Sequence, residues 1–239
     1  MEYANISDFL YLVSLNFPTL VIIFSVWSIT RCKVAYNVGY QIVEYLDFNS
    51  YNPLNHIDPV GIFAFSCLLS VRSYGGYTFA LIWLIMMFLG IQLVHRPPFD
   101  RHYLLDGEPR WKGLAVTLSG TIGLFFLSYI LQYFVIYLSL WYPHSSSILV
   151  IVGFFRNIII WAISIGLLHL VPLPPFEGAM LLPLIFGEAG EDLLEMIEPY
   201  SIIILLCLFF LPPISTLFWV GLNKMLQLVF AAQVYLVWF

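Results

Sequence analysis

Residues 114–142 read LAVTLSGTIGLFFLSYILQYFVIYLSLWY, a run of 29 residues without a charged side chain. About 20 apolar residues cross a hydrocarbon layer roughly 30 Å thick, because a helix rises ~1.5 Å per residue. This run therefore spans a bilayer with length left to tilt or protrude. It follows Arg110 and Lys112 and ends at the uncharged turn Pro143-His144-Ser145-Ser146-Ser147. The chain then returns through a second apolar run, Ile148 to Val171, which contains Arg156 and Asn157.

The rest of the chain has the same character. Of its 239 residues 61% are hydrophobic and 10% charged, with a mean hydropathy of +0.92. Soluble domains carry about 25% charged residues, so too few polar side chains are present to cover a globule in water. A soluble enzyme, a nucleic-acid binder and a disordered tail are excluded on this ground. Nine Lys and Arg cannot line a phosphate-binding surface either. Cys32, Cys67 and Cys207 are scattered and odd in number, which reads as buried thiols rather than disulfides or a metal pair. Aromatic residues make up 18% of the chain, and Trp141, Tyr142, Trp219 and Trp238 near the ends of apolar runs read as interface anchors.

Working outward, Phe9 to Ile29 forms a first span, broken only by Asn16 and Pro18 and stopping at Thr30-Arg31-Cys32-Lys33. The acids Glu2 and Asp8 precede it, the reverse of a signal peptide, so a retained helix is expected. Val60 to Val71 and Tyr77 to Val94 flank Arg72-Ser73-Tyr74-Gly75-Gly76 and read as a helical hairpin; the other arrangement is a re-entrant piece followed by one span. Glu188 to Glu198 reads as an amphipathic helix with Leu193, Leu194, Met196 and Ile197 toward the membrane, and Ser201 to Val220 as a span broken by Pro212-Pro213. Met225 to Phe239 is a further apolar run, in the interface or against a partner.

The expected fold is an all-α polytopic membrane protein with about five to six transmembrane helices. It divides into a first transmembrane helix (1–30), a membrane core (31–185) and an acidic amphipathic segment with carboxy-terminal helices (186–239). Segments 31–59 and 95–112 carry six of the nine cations, which places them in the cytoplasm and the amino terminus outside.

Two polar, proline-bearing segments interrupt this pattern. One is Asn52-Pro53-Leu54-Asn55-His56-Ile57-Asp58-Pro59-Val60-Gly61, and the other is His169-Leu170-Val171-Pro172-Leu173-Pro174-Pro175-Phe176-Glu177-Gly178. Proline breaks a helix, and irregular backbone at membrane depth survives only where protein or a wet cavity covers it. A proline-broken pocket near the cytoplasmic face is therefore expected, with His56, Asp58, His169 and Glu177 as its ionisable groups. These four either satisfy backbone at the breaks and one another or offer N and O donors to a metal. Asp58 reads as the cap of a helix beginning at Pro59. Arg156 either snorkels toward the nearer face or pairs with an acid of this chain or a partner.

The first segment resembles the N-P-L-x-H-I-D-P-x-G motif of the site-2 protease family of intramembrane zinc metalloproteases, and the second is similar to that family's N-x-x-P-x-P-P-L-D-G motif. The likeness covers roughly residues 30–185. It implies a zinc ion held by an H-E-x-x-H helix and the aspartate of L-D-G, with the glutamate between the histidines activating water. The sequence has no H-E-x-x-H: His56, His95, His102, His144 and His169 are never four apart, and the matching stretch, about Arg31 to Tyr45, contains no histidine. Glu177 stands where the family has aspartate and His169 where it has asparagine, while the family's G-P-x-x-N helix reads Gly120-Thr121-Ile122-Gly123-Leu124.

The expectation is a catalytically inactive relative with no cofactor, embedded in lipid as a structural or binding subunit among other transmembrane proteins. The alternative is an active protease with zinc on a rearranged site of His56, His169 and Glu177. A transporter or channel ranks last, since apart from Arg156 the spans carry essentially no ionisable residue.

Overall fold

The computed structural model describes residues 6–45, 48, 50–70, 104, 109–143, 145–174 and 176–211, with single positions at 216, 220, 223, 224 and 227. The described residues form helices and 3₁₀ turns. Helix α1 (Ile6–Val38) is followed by α2 (Ile42–Tyr45), a 3₁₀ turn (Pro53–Asn55) and α3 (Pro59–Ser70). Then come α4 (Arg110–Trp141), α5 (Ser146–His169), a 3₁₀ turn (Glu177–Met180), α6 (Leu181–Phe186), α7 (Glu188–Ile197), a 3₁₀ turn (Glu198–Tyr200) and α8 (Ser201–Phe210). Three helices among the described residues, α1, α4 and α5, are long and apolar enough to cross a membrane. The run Tyr77–Val94, the turn Arg72–Gly76 and the run Met225–Phe239 lie outside the described residues or nearly so, as do His95, His102 and His144.

Helices α4 and α5 form an antiparallel hairpin through Tyr142–Ser145, and α1 packs across both. Their shared core is Leu20, Ile23, Phe24 and Trp27 of α1 with Leu124 of α4 and Ile158, Ala162 and Ile165 of α5. Close approach of α1 to α4 rests on Gly120, where a Cβ would collide with the Trp27 indole. Outward-facing side chains such as Phe126, Tyr137, Leu149 and Ile160 are exposed, as lipid-facing positions of a helix bundle must be.

A polar seam ties α1, α3 and α5 together within this apolar core. Asn16 Nδ2 donates to Ser70 Oγ at 3.1 Å, and Asn157 Nδ2 donates to Thr19 Oγ1 at 3.0 Å. In hydrocarbon these amides must find partners in protein, and their bonds fix the depth of α5 against α1.

Helix α1 outruns its expected end. It passes Ile29 and continues to Val38, because neither charge that was read as its stop needs water there. Arg31 is buried against Glu177, and the Lys33 ammonium lies 4.1 Å from the centre of the Tyr51 ring. The helix ends at Gly39, whose φ of +101° suits glycine. The Gly39 N–H bonds to the Tyr36 carbonyl and the Tyr40 N–H to the Ala35 carbonyl, which satisfies the last turn. The amphipathic acidic segment forms α7 as expected, but its faces are split differently. Leu194 is buried against protein, while Leu193 and Met196 are exposed.

Candidate functional site

Both proline-bearing segments fold back onto one stretch of α1, Trp27 to Cys32. In the first, Asn52 caps the 3₁₀ turn by accepting from the Leu54 N–H at 3.2 Å, with Pro53 in the first position. Asp58 Oδ1 accepts from the Val60 N–H at 3.0 Å, and Pro59 opens α3. Asn52 and Pro53 are exposed, while Gly61 is buried.

Between these caps His56 is fully buried. Its Nε2 lies 2.8 Å from the Ser50 carbonyl, which can only accept, so Nε2 carries the proton. Nδ1 then accepts from the Ser28 hydroxyl at 3.1 Å. Both ring nitrogens of His56 are therefore committed.

The second segment leaves α5 at its last residue, His169. His169 Nδ1 donates to the Ile165 carbonyl at 2.8 Å, and its ring lies against Trp27 with centroids 4.3 Å apart. Phe176 closes the other side at 6.1 Å. Pro172 is exposed and Pro174 half-buried, and Pro175 lies outside the described residues. The chain turns back at Gly178, where a Cβ would sit 2.5 Å from the Leu170 carbonyl oxygen. No other residue type fits so close to this backbone, and the turn aims the preceding side chain, Glu177, at α1.

There Glu177 meets Arg31. The guanidinium Nη1 and carboxylate Oε1 form an ion pair whose side chains are 4% and 10% exposed. The guanidinium also lies 5.8 Å from the centre of the Trp27 ring. Burial pushes the Glu177 carboxyl up to about 7, against the pull of Arg31 in the other direction. Cys32 is buried beside the pair.

Sequence reasoning set the family's histidine turn against Arg31 to Tyr45. The turn of α1 that faces Glu177 begins earlier, with Trp27 and Arg31 one helical turn apart. The expectation came from the short distance that separates the two motifs in the resembled family, and neither Trp27 nor Arg31 was read as a site residue. The signal was available as an i, i+4 pair of large side chains within one span. His56, His169 and Glu177 each take separate partners, and among the described residues no three of His, Cys, Asp and Glu gather where they could hold a metal ion. Arg156 lies apart from this site, exposed on the outer face of α5.

Comparison with known proteins gives a distant likeness. Over 209 residues, 86% of this chain and 84% of the relative, the sequence is 25% identical to a Bacillus subtilis (strain 168) protein named "Putative zinc metalloprotease YwhC". No family model matches the chain, and no solved structure does.

Proposed function

We propose that this chain is a site-2-protease-like membrane protein without peptidase activity, serving as a structural or binding component of a larger membrane assembly. One observation carries the reading: the Arg31 guanidinium lies against the Glu177 carboxylate, in the place where the resembled family directs that carboxyl at zinc. A permanent cation there opposes a dication, and neither an indole nor a guanidinium is a metal ligand. Trp27 and Arg31 occupy the turn facing Glu177 and offer no lone pair of the kind zinc needs. Zinc does not fit this donor set, and no chemical step is assigned to it.

The same reading sets the Arg31 end of α1 on the cytoplasmic side and the amino terminus outside, in a multi-pass chain of about five to six spans. Lys33, Arg110 and Lys112 support it. A Gly39 Cβ would lie 3.8 Å from Lys112 Nζ, so these cations cluster at one end of the bundle.

Metal analysis of the detergent-purified chain tests the proposal. Zinc well below one equivalent is expected, together with a thermal transition that a chelator leaves in place. One equivalent of zinc that is lost on His169→Ala would overturn it and establish the rearranged metalloprotease site of His56, His169 and Glu177. The assembly is tested separately by native mass spectrometry in mild detergent, where a bare monomer would refute it.

A further inference from the structure

We infer that the outer face of α5 around Arg156 docks a transmembrane helix of another membrane protein, one that carries an aspartate or glutamate at mid-membrane depth. The inference rests on the reading of this chain as part of a membrane assembly, and it specifies the partner's chemistry.

Depth comes first. Arg156 is the eleventh of the 24 residues of α5, ten residues from Ser146. At ~1.5 Å per residue that is about 15 Å, or half of a hydrocarbon layer of roughly 30 Å. Its neighbour Asn157 is bonded to Thr19 in the seam with α1, so the helix cannot slide to bring Arg156 to the surface.

Arg156 nonetheless points outward. It is exposed, while Ile158, Ala162 and Ile165 on the other side of α5 are buried in the core shared with α1. A charge held at this depth is costly unless it is paired.

The sequence puts no acid of this chain in the middle of an apolar run. The sequence has no Asp or Glu between Asp8 and Glu44, Asp58 and Asp100, Glu108 and Glu177, or beyond Glu198. The apolar runs are thus free of acid at their middles. A second copy brings the same deficit, which excludes self-association as the source of the counter-charge. What remains is an acidic residue on a different helix.

The surroundings suit a helix. Leu149, Gly153, Arg156 and Ile160 are all exposed, at spacings of four, three and four that keep them on one face. A Cβ at Gly153 would meet nothing within 4 Å. That notch beside the charge lets a partner backbone approach closely.

The test uses the full chain in phosphatidylcholine vesicles with three labelled polyleucine transmembrane peptides, whose central residue is Glu, Leu or Lys, and reads association by energy transfer. The Glu peptide is expected to bind roughly tenfold or more tightly than the Leu peptide. Arg156→Leu should abolish that preference, Arg156→Lys should keep it in part, and Arg156→Glu should transfer it to the Lys peptide. A Glu peptide that binds Arg156→Leu as well as it binds the unmodified chain would overturn the inference. So would a Glu peptide that binds no better than the Leu peptide, the result expected if the guanidinium is satisfied by lipid phosphate. Native mass spectrometry separates this from the broader reading. A bare monomer for the unmodified chain refutes the assembly whatever the peptides do. An assembly unchanged in mass by Arg156→Leu refutes this docking site and leaves the assembly standing.

Discussion

Replacing Arg31 with methionine should make stability depend on pH in a range where the unmodified protein is flat. Glu177 has an ordinary carboxyl value of 4.5 and is carried to about 7 by burial, with Arg31 pulling downward. A folded-state value above the unfolded one means that the native state holds its proton longer. Stability from this group is therefore full below about 4.5 and declines as pH rises. Above about 7 both states are ionised and the decline stops. Without the guanidinium the folded value rises further, and the decline continues past pH 7 at about 1.4 kcal/mol per pH unit. By pH 9 the added cost is about 3 kcal/mol, similar to the ~3–5 kcal/mol of a buried ion pair broken on one side. A constant offset from the lost stacking on Trp27 should accompany it at every pH. Equilibrium unfolding in mixed micelles between pH 5 and 9, followed by tryptophan fluorescence, measures the difference directly. Glu177→Gln, alone or with Arg31→Met, should remove the slope. Parallel curves for Arg31→Met and the unmodified protein between pH 7 and 9 would refute the reasoning.

Other variants probe separate contacts. Gly120→Ala drives a methyl into the Trp27 indole and should cost ~1–3 kcal/mol in thermal unfolding, as overpacking does. Asp58→Ala removes the cap on the Val60 N–H; a loss of ~0.5–2 kcal/mol is expected, and Asp58→Asn should recover most of it. Asn157→Leu breaks the bond from α5 to Thr19, with an expected loss of about 0.6–1.7 kcal/mol by micellar unfolding.

Much of the architecture was legible because the bilayer imposes a length. The runs Leu114–Tyr142 and Ile148–Val171 appear as α4 and α5 with ends shifted by a few residues. The Asp58-Pro59 pair marked the start of α3, since a cap and a fixed φ are local properties. The end of α1 was not legible. Arg31 reads as a span boundary when its only possible solvation is water, and the group that solvates it is 146 positions further along the chain. The seam of Asn16, Thr19, Ser70 and Asn157 was hidden for the same reason. Each amide looked like an isolated blemish in an apolar run until another helix supplied its partner.

By itself the sequence determined that this chain carries helices apolar enough to cross a membrane, where α4 and α5 begin and turn, and that two proline-bearing segments interrupt the apolar pattern. Those outcomes depend on composition and near-neighbour chemistry, which are complete within a few residues. Tertiary structure alone decided what each buried polar group touches: Ser28 for His56, the Trp27 ring for His169, and a guanidinium for Glu177. Burying a charge or a polar group is costly unless a partner is packed against it, and contact between distant segments is settled when the helices pack.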